Sequence, residues 1–292
     1  MKLGLLTRNP KAWCSTQIAR AIKNRKIEPI CFTFSDIIAR VAFKPLVEIK
    51  EKIQVETDVS AIIVRPIGRG SLDQVIFRLD LLHRLERLKI PVINPPDAIE
   101  KAVDKYYALA LLEEHGIRIP RTVITENPLK ALHAFKELGE DVVVKPVFGS
   151  RGMGVTRVSD TEVARRIFRS LAFLHNVLYI QEFVPHGTRD IRAFVVGDRV
   201  IAAMYRVSEG WRTNVSQGAK AVSFKPPEEL EKLAIKASHI LGCEIAGVDI
   251  MEAQSGYIIN EINSQPGFRG LQSTTKINIA GEIVDHVLKF CQ

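Results

Sequence analysis

The sequence predicts an α/β protein in which a parallel unit precedes mixed α+β segments. Three observations carry this. As far as Pro96, short apolar runs alternate with amphipathic helical segments, the pattern of a parallel sheet with helices on its faces. Past Pro96 strands and helices are mixed, and from Asp190 onward tight turns join successive apolar runs, as in antiparallel β-structure. Hydrophobic residues make up 46% and charged residues 25% of 292, a composition that supports a sizeable core.

In order, residues 2–7 read as a strand, 16–26 as a helix and 29–34 as a strand. The apolar start at 1–6 is too short for a secretory leader, because Arg8, Asn9, Pro10 and Lys11 end it. A strand at 61–64, a helix over 72–88 and a strand at 90–93 complete the first unit, which closes at Asn94-Pro95-Pro96. No G-x-G-x-x-G follows the first strand, so the unit lacks the dinucleotide fingerprint. The next helix spans 98–115 with Gly116 as its C-terminal cap. A strand at 121–125 and a helix over 128–138 follow. Beyond a glycine-rich hairpin come a helix over 161–175 and a strand over 177–184. Strands at 191–196 and 200–207 flank Gly197-Asp198, a favoured hairpin turn. A helix over 228–242, two strands around Gln254-Ser255-Gly256 and a helix over 279–290 end the chain. No internal repeat appears.

Composition narrows the function. No apolar stretch of about 18 residues predicts a membrane span. Cys14, Cys31, Cys243 and Cys291 form no C-x-x-C pair, so neither a zinc knuckle nor a disulfide framework is signalled, and reduced thiols in a cytoplasm are expected. The net charge of +8 fits a nucleic-acid surface, a cleft for small polyanions, or a solvated basic face. Lys and Arg are spread without a basic tail or aromatic interleaving.

The most informative run is Val142-Val143-Val144-Lys145 followed by Pro146-Val147-Phe148-Gly149-Ser150-Arg151-Gly152-Met153-Gly154. A strand delivers a lysine, and glycines then let main-chain N–H groups approach a ligand closely. The spacing G-x-x-G-x-G is neither the dinucleotide motif nor a P-loop. Alone, the run reads equally as a phosphate cradle or a flexible hairpin.

A second constellation is acidic. If the later hairpin turns about Ser255, Asp249 lies directly opposite Glu261, with Cβ atoms about 5 Å apart. Asn263 shares the face of Glu261. Two opposed carboxylates and an amide oxygen favour a hard cation, Mg²⁺ or Mn²⁺, over a bare polar face. Lys105 sits at a helix start. Gln181, Glu182, Phe183 and Val184 end a strand whose backbone groups can serve an adenine ring. Arg192, Arg206 and Arg212 are candidate anion contacts.

Taken together, Lys105, Lys145 with its glycine run, 181–184, and Asp249 with Glu261-Ile262-Asn263 resemble the ATP-grasp fold over essentially the whole chain. Arg189-Asp190-Ile191-Arg192-Ala193-Phe194 is similar to the RimK-type branch, whose members ligate amino acids to acids or amines. The runs 202–206 and 214–218 most resemble its tetrahydromethanopterin:α-L-glutamate ligases. The branch also holds ribosomal-protein and deazaflavin-coenzyme glutamate ligases and the amino-group carrier ligases of lysine and arginine synthesis. The last of these commonly carry a tryptophan in the glycine loop, absent here. Ala219-Lys220 departs from the second glycine usual after Gly218.

The resemblance implies a pre-grasp α/β domain at 1–96, a central grasp subdomain at 97–184 with a glycine-rich lid, and a C-terminal subdomain at 185–292 with the metal site. It implies ATP as co-substrate, Mg²⁺ or Mn²⁺ on Asp249, Glu261 and Asn263, and L-glutamate joined to a small acidic acceptor through an acylphosphate. Nucleotide contacts fall on Lys105, Lys145, Gly149, Ser150, Arg151, Gly152, 181–184, Asp190 and Arg212. Arg192, Arg206 and Arg212 take catalytic roles, and Arg192, Asn214 and Arg269 hold substrate. Asp190 is expected to meet the ribose or the entering amine. Neither nucleic acid nor membrane is an expected partner. Relatives are often dimers or tetramers, although no interface signature appears.

Overall fold

The computed structural model describes residues 1–50, 52–149, 152–214 and 218–291. The first unit is the expected parallel sheet. Strands β1 (Lys2–Leu6), β2 (Glu28–Phe32), β6 (Ala61–Val64) and β7 (Val92–Ile93) lie in the order β2-β1-β6-β7, all pairs parallel. Helices α1 (Trp13–Asn24) and α3 (Leu72–Arg87) cross between them. Between β2 and β6 the chain adds a small antiparallel sheet, β3 (Ile37–Ala39), β4 (Val47–Ile49) and β5 (Ile53–Gln54), and a one-turn helix α2 (Val55–Asp58). The sequence reading left that stretch unassigned. These strands have two or three residues each, too few to show a period.

The single helix expected over 98–115 is two, α4 (Pro96–Val103) and α5 (Lys105–Glu114). Asp104 has extended dihedrals, φ −83° and ψ 102°, and its carboxylate accepts from the N–H groups of Tyr106 and Tyr107 at 2.9 and 3.0 Å. It is an N-cap. Lys105 therefore opens a helix.

The central layer is antiparallel, in the order β10 (Thr156–Val158), β9 (Val142–Lys145), β11 (Leu178–Glu182), β8 (Thr122–Thr125), backed by α6 (Pro128–Glu137) and α7 (Thr161–Phe173). Phe135 and Phe168 from these helices are fully buried against Val142, Val144 and Ile180. The last layer is a five-stranded antiparallel sheet, β14 (Lys220–Phe224), β13 (Arg199–Val207), β12 (Arg189–Val196), β15 (Ile245–Ala253), β16 (Gly256–Asn263). Here α4, α5 and α8 (Glu228–Ile240) cover one face, with Ala237, Leu241, Val248 and Ile262 buried between.

The opposite side of that sheet meets the first unit. Leu3, Ile18, Ile22 and Ile63 share one core with Phe194, Phe268, Leu271 and with Ile283 and Val284 of α10 (Ile279–Leu288). Phe268, just before the short helix α9 (Arg269–Gln272), packs edge-on to Trp13 and Phe194 with centroids 5.5 and 6.1 Å apart. Each such aromatic pair contributes about 0.5–1.5 kcal/mol beyond its buried area.

Candidate active site

A cleft lies between the central layer and the five-stranded sheet. Of the residues nominated from sequence it is lined by Lys105, Lys145, Gly149, Gly152, 181–184, Asp190, Arg206, Arg212, Asn214, Asp249 and Glu261. Arg192 and Asn263 stand immediately behind this lining, bonded to Asp249 and to Gly247. Arg269 is apart, exposed on α9. Ser150 and Arg151 lie outside the described residues.

Lys145 ends β9 and reaches across the cleft floor. Its Nζ donates to Gln181 Oε1 at 2.6 Å and Asn260 Oδ1 at 3.0 Å. Both partners are neutral amides, and among the described residues no carboxylate bonds the ammonium directly. Burial lowers this ammonium to about 8, opposed by Glu261 and assisted by Lys105. Lys105 Nζ donates to the carbonyls of Val147 and Gly149 at 3.3 and 3.0 Å and stands 3.9 Å from Glu261 Oε1. It ties the glycine loop to the acidic face.

The loop needs its glycines. A Cβ at Gly149 would sit 2.9 Å from the Pro146 ring, and Gly152 and Gly154 have φ of +70° and +76°, a region that side chains rarely adopt. Arg212 crosses from the other side, donating to Val155 O at 2.9 Å.

The strand end 181–184 is partly engaged within the fold. Gln181 is buried, and its Nε2 donates to Thr122 Oγ1 and Tyr179 Oη, which fixes its Oε1 toward Lys145. Glu182 holds Arg121 through its side chain, and the N–H groups of Glu182 and Phe183 donate to Arg121 O and Asp141 O. Those two amides are therefore closed to a ring, and among the described backbone bonds the first donor left over is that of Val184. Phe183 stacks under Arg157 at 3.5 Å and meets Trp211 edge-on at 5.9 Å.

Asp249 and Glu261 do face each other, but not by the expected turn. The hairpin closes tighter, pairing Ala253 with Gly256, and the register shifts between Asp249 and Ile250, leaving Asn260 as the extra residue. That β-bulge restores the opposition and aims Asn260 at Lys145. The electrostatics also differ from expectation. Asp249 is 3% exposed and both its oxygens meet guanidinium groups: Arg192 holds it bidentately, and Arg206 Nη2 lies at 3.2 Å. Asp190, 4% exposed, is held by Arg206 at 2.7 and 2.5 Å, which occupies one lone pair on each oxygen. Burial works against both charges of this ladder. The attraction of Arg192 and Arg206 nonetheless keeps the Asp249 carboxyl below its usual range, and that of Asp249 and Asp190 raises Arg206. The predicted repulsion between bare carboxylates is thus already offset by arginine.

A cation still has donors of the right kind. The Glu261 side chain is 31% exposed and, among the described residues, meets no guanidinium, while Asn263 uses its Nδ2 on Gly247 O at 3.4 Å and keeps its Oδ1 as an acceptor. Together with an Asp249 oxygen this is an oxygen-only set suited to Mg²⁺. Among the described residues no group of three His, Cys, Asp or Glu gathers as a metal site, so a cation here relies on the amide.

The chain is similar to known proteins along its whole length. The sequence model of the RimK-like ATP-grasp domain matches residues 102–287. The tetrahydromethanopterin:α-L-glutamate ligase of Methanococcus maripaludis is 35% identical, covering 100% of this chain and 99% of the relative. That of Methanocaldococcus jannaschii is also 35% identical, over 99% of each. The α-aminoadipate–LysW ligase LysX of Sulfurisphaera tokodaii is 38% identical over 74% of this chain. Among solved structures, a RimK-domain ATP-grasp protein of Sphaerobacter thermophilus superposes with a TM-score of 0.78 at 21% identity, covering 99% of this chain and 100% of that one. The ATP-grasp ligase PsnB with its minimal precursor gives 0.79 at 19%, over 99% of each.

Proposed function

We infer the activity from a premise the comparisons supply: the chain belongs to the RimK-like ATP-grasp family. It is an ATP-dependent ligase that joins a carboxylate to an amine. We propose that the amine is L-glutamate and the acceptor a tetrahydromethanopterin-type acid. End-to-end coverage by two ligases of that name supports this over the LysX-type reaction, whose match leaves a quarter of the chain uncovered. The net charge of +8 suits an anionic acceptor.

The observation that carries the reading is the cleft in which Lys145, bonded to two neutral amides, faces the Asp249–Glu261 pair beside a glycine loop. In the first step an acceptor carboxylate oxygen bonds to the γ-phosphorus of ATP as ADP leaves, giving an acylphosphate. In the second the glutamate amine attacks that carbonyl, phosphate leaves, and the amine proton passes to solvent. This is chemistry by alignment and charge neutralisation. Lys145 and Lys105 would hold the α- and β-phosphates, and the glycine loop would cover them and exclude water. Val184 N–H would receive the adenine edge beside Phe183. Arg212 would meet the transferring phosphoryl, while Arg206 steadies Asp249 and adds positive potential. Asp249, Glu261 and Asn263 would hold Mg²⁺, with Mn²⁺ as a substitute; the ion would neutralise charge on the phosphates.

The test is incubation with ATP, Mg²⁺, L-glutamate and a panel of acceptor acids. ADP release that depends on tetrahydromethanopterin and glutamate together, with a product heavier by one glutamyl residue, is expected. ADP release with LysW-type carrier protein instead would overturn the acceptor assignment.

A further inference from the structure

Arg65 follows β6 at the C-terminal edge of the parallel sheet, the edge at which such sheets present ligands. It is 6% exposed. The other buried guanidinium among the described residues, Arg206 on β13, is matched by two carboxylates. Arg65 is matched by none among the described residues. One of its five N–H groups donates to Pro266 O at 2.8 Å, and its guanidinium lies 5.9 Å from the Phe268 ring. Burial lowers its pKa, with only the Cys14 thiol acting in the other direction. A buried cation without a counter-charge is costly.

The second observation is next to it in the chain that Arg65 touches. Gln265 Nε2 is the one buried side-chain nitrogen or oxygen among the described residues that lacks a hydrogen-bond partner. Gln265 precedes Pro266 and lies two residues past Asn263. The loop is held in place from the first unit, since Asn94 donates to Ser264 O and to Ile245 O at the start of β15. Arg65, with no carboxylate partner among the described residues, is thus bonded to the residue that follows the unpaired Gln265 amide. Meanwhile Arg192, nominated from sequence for a substrate carboxylate, is engaged by Asp249.

We propose that Arg65 and the Gln265 amide form a subsite for a substrate carboxylate that does not itself react, one borne by glutamate or by the acceptor. The proposal rests on the ligase reading above. It places a determinant of substrate choice at position 65, outside the 102–287 stretch common to the family's domain model.

Gln265→Leu separates this from a purely structural role. Removing an unpaired buried donor relieves a desolvation penalty, so the melting temperature of the free protein holds or rises. A subsite role also raises the KM for glutamate or for tetrahydromethanopterin, roughly tenfold for one lost hydrogen bond to a charged group. Which KM moves identifies the source of the carboxylate. Arg65→Lys keeps the charge but loses the planar fork, and the same KM should rise with nucleotide affinity unchanged by calorimetry. Unchanged KM for both substrates in both variants would overturn the subsite and leave the ligase reading standing. If no acceptor supports ADP release, the ligase reading fails instead, and calorimetry with glutarate decides the subsite. Glutarate binding to the wild type that is lost in Gln265→Leu upholds it. Absent or equal heats sink it.

Discussion

Replacing Lys145 by methionine tests the electrostatics of the cleft floor without any substrate. The folded ammonium titrates at about 8 against an ordinary 10.5. At 1.36 kcal/mol per pH unit the gap amounts to about 3 kcal/mol, an upper figure because the residue borders an open cleft. The sign follows from proton counts. Below pH 8 the lysine is charged in both states and its burial opposes folding in full. Between about pH 8 and 10.5 the unfolded chain still holds the proton that the folded chain has released, so stability rises with pH. Methionine leaves Gln181 Oε1 and Asn260 Oδ1 without a donor, a cost that does not vary with pH. Groups remote from Lys145 titrate alike in both proteins and cancel. Urea unfolding at pH 7, 8, 9 and 10 should therefore show the wild type gaining on Lys145→Met by up to about 3 kcal/mol across the series. Parallel stability curves would refute the assignment of a suppressed lysine.

If nucleotide phosphates meet Lys145, ATP binding at pH 8 takes up roughly half a proton, because a group at its midpoint becomes fully charged; calorimetry in two buffers of different ionisation enthalpy reads this, and Lys145→Met should abolish it. Glu261→Gln should cut ADP release by more than about a hundredfold, several kcal/mol of charge stabilisation, with the melting temperature retained. Asp190→Asn removes one of the two partners of buried Arg206 and should cost about 3 kcal/mol in urea unfolding, with Arg206→Met in the same chain restoring at least half.

Much of this site could be read from the sequence because strand periodicity places side chains by parity. Asp249 and Glu261 were expected opposite each other, and they are. The route was different, since a tighter turn and the bulge at Asn260 both shift the register and cancel. A bulge leaves no composition signal in Ile258-Ile259-Asn260-Glu261, so the Asn260 contact to Lys145 was invisible. The Asp190–Arg206–Asp249–Arg192 ladder was equally hidden. It depends on β12 lying between β13 and β15, and strand order is not written in local pattern. Trp211 went unnoticed for the same reason, since only tertiary packing brings it to Phe183. The break at Asp104 was legible in principle, because Asp before a helical run is a capping signal, but the apolar periodicity on both sides masked it.

The core that joins α1 to α10 reaches beyond static packing. Arg25, at the end of α1, binds Asp285 bidentately and Gly281 O, while Ile18 and Ile22 lean on Ile283 and Val284. Residues 1–96 are synthesised long before 279–288, so the part of this core in which Ile18 and Ile22 lean on Ile283 and Val284 closes only when α10 arrives. The seam between α1 and α10 is therefore completed late in synthesis, and a fragment ending near Pro96 would expose the α1 side chains that Ile283 and Val284 cover, a surface open to aggregation.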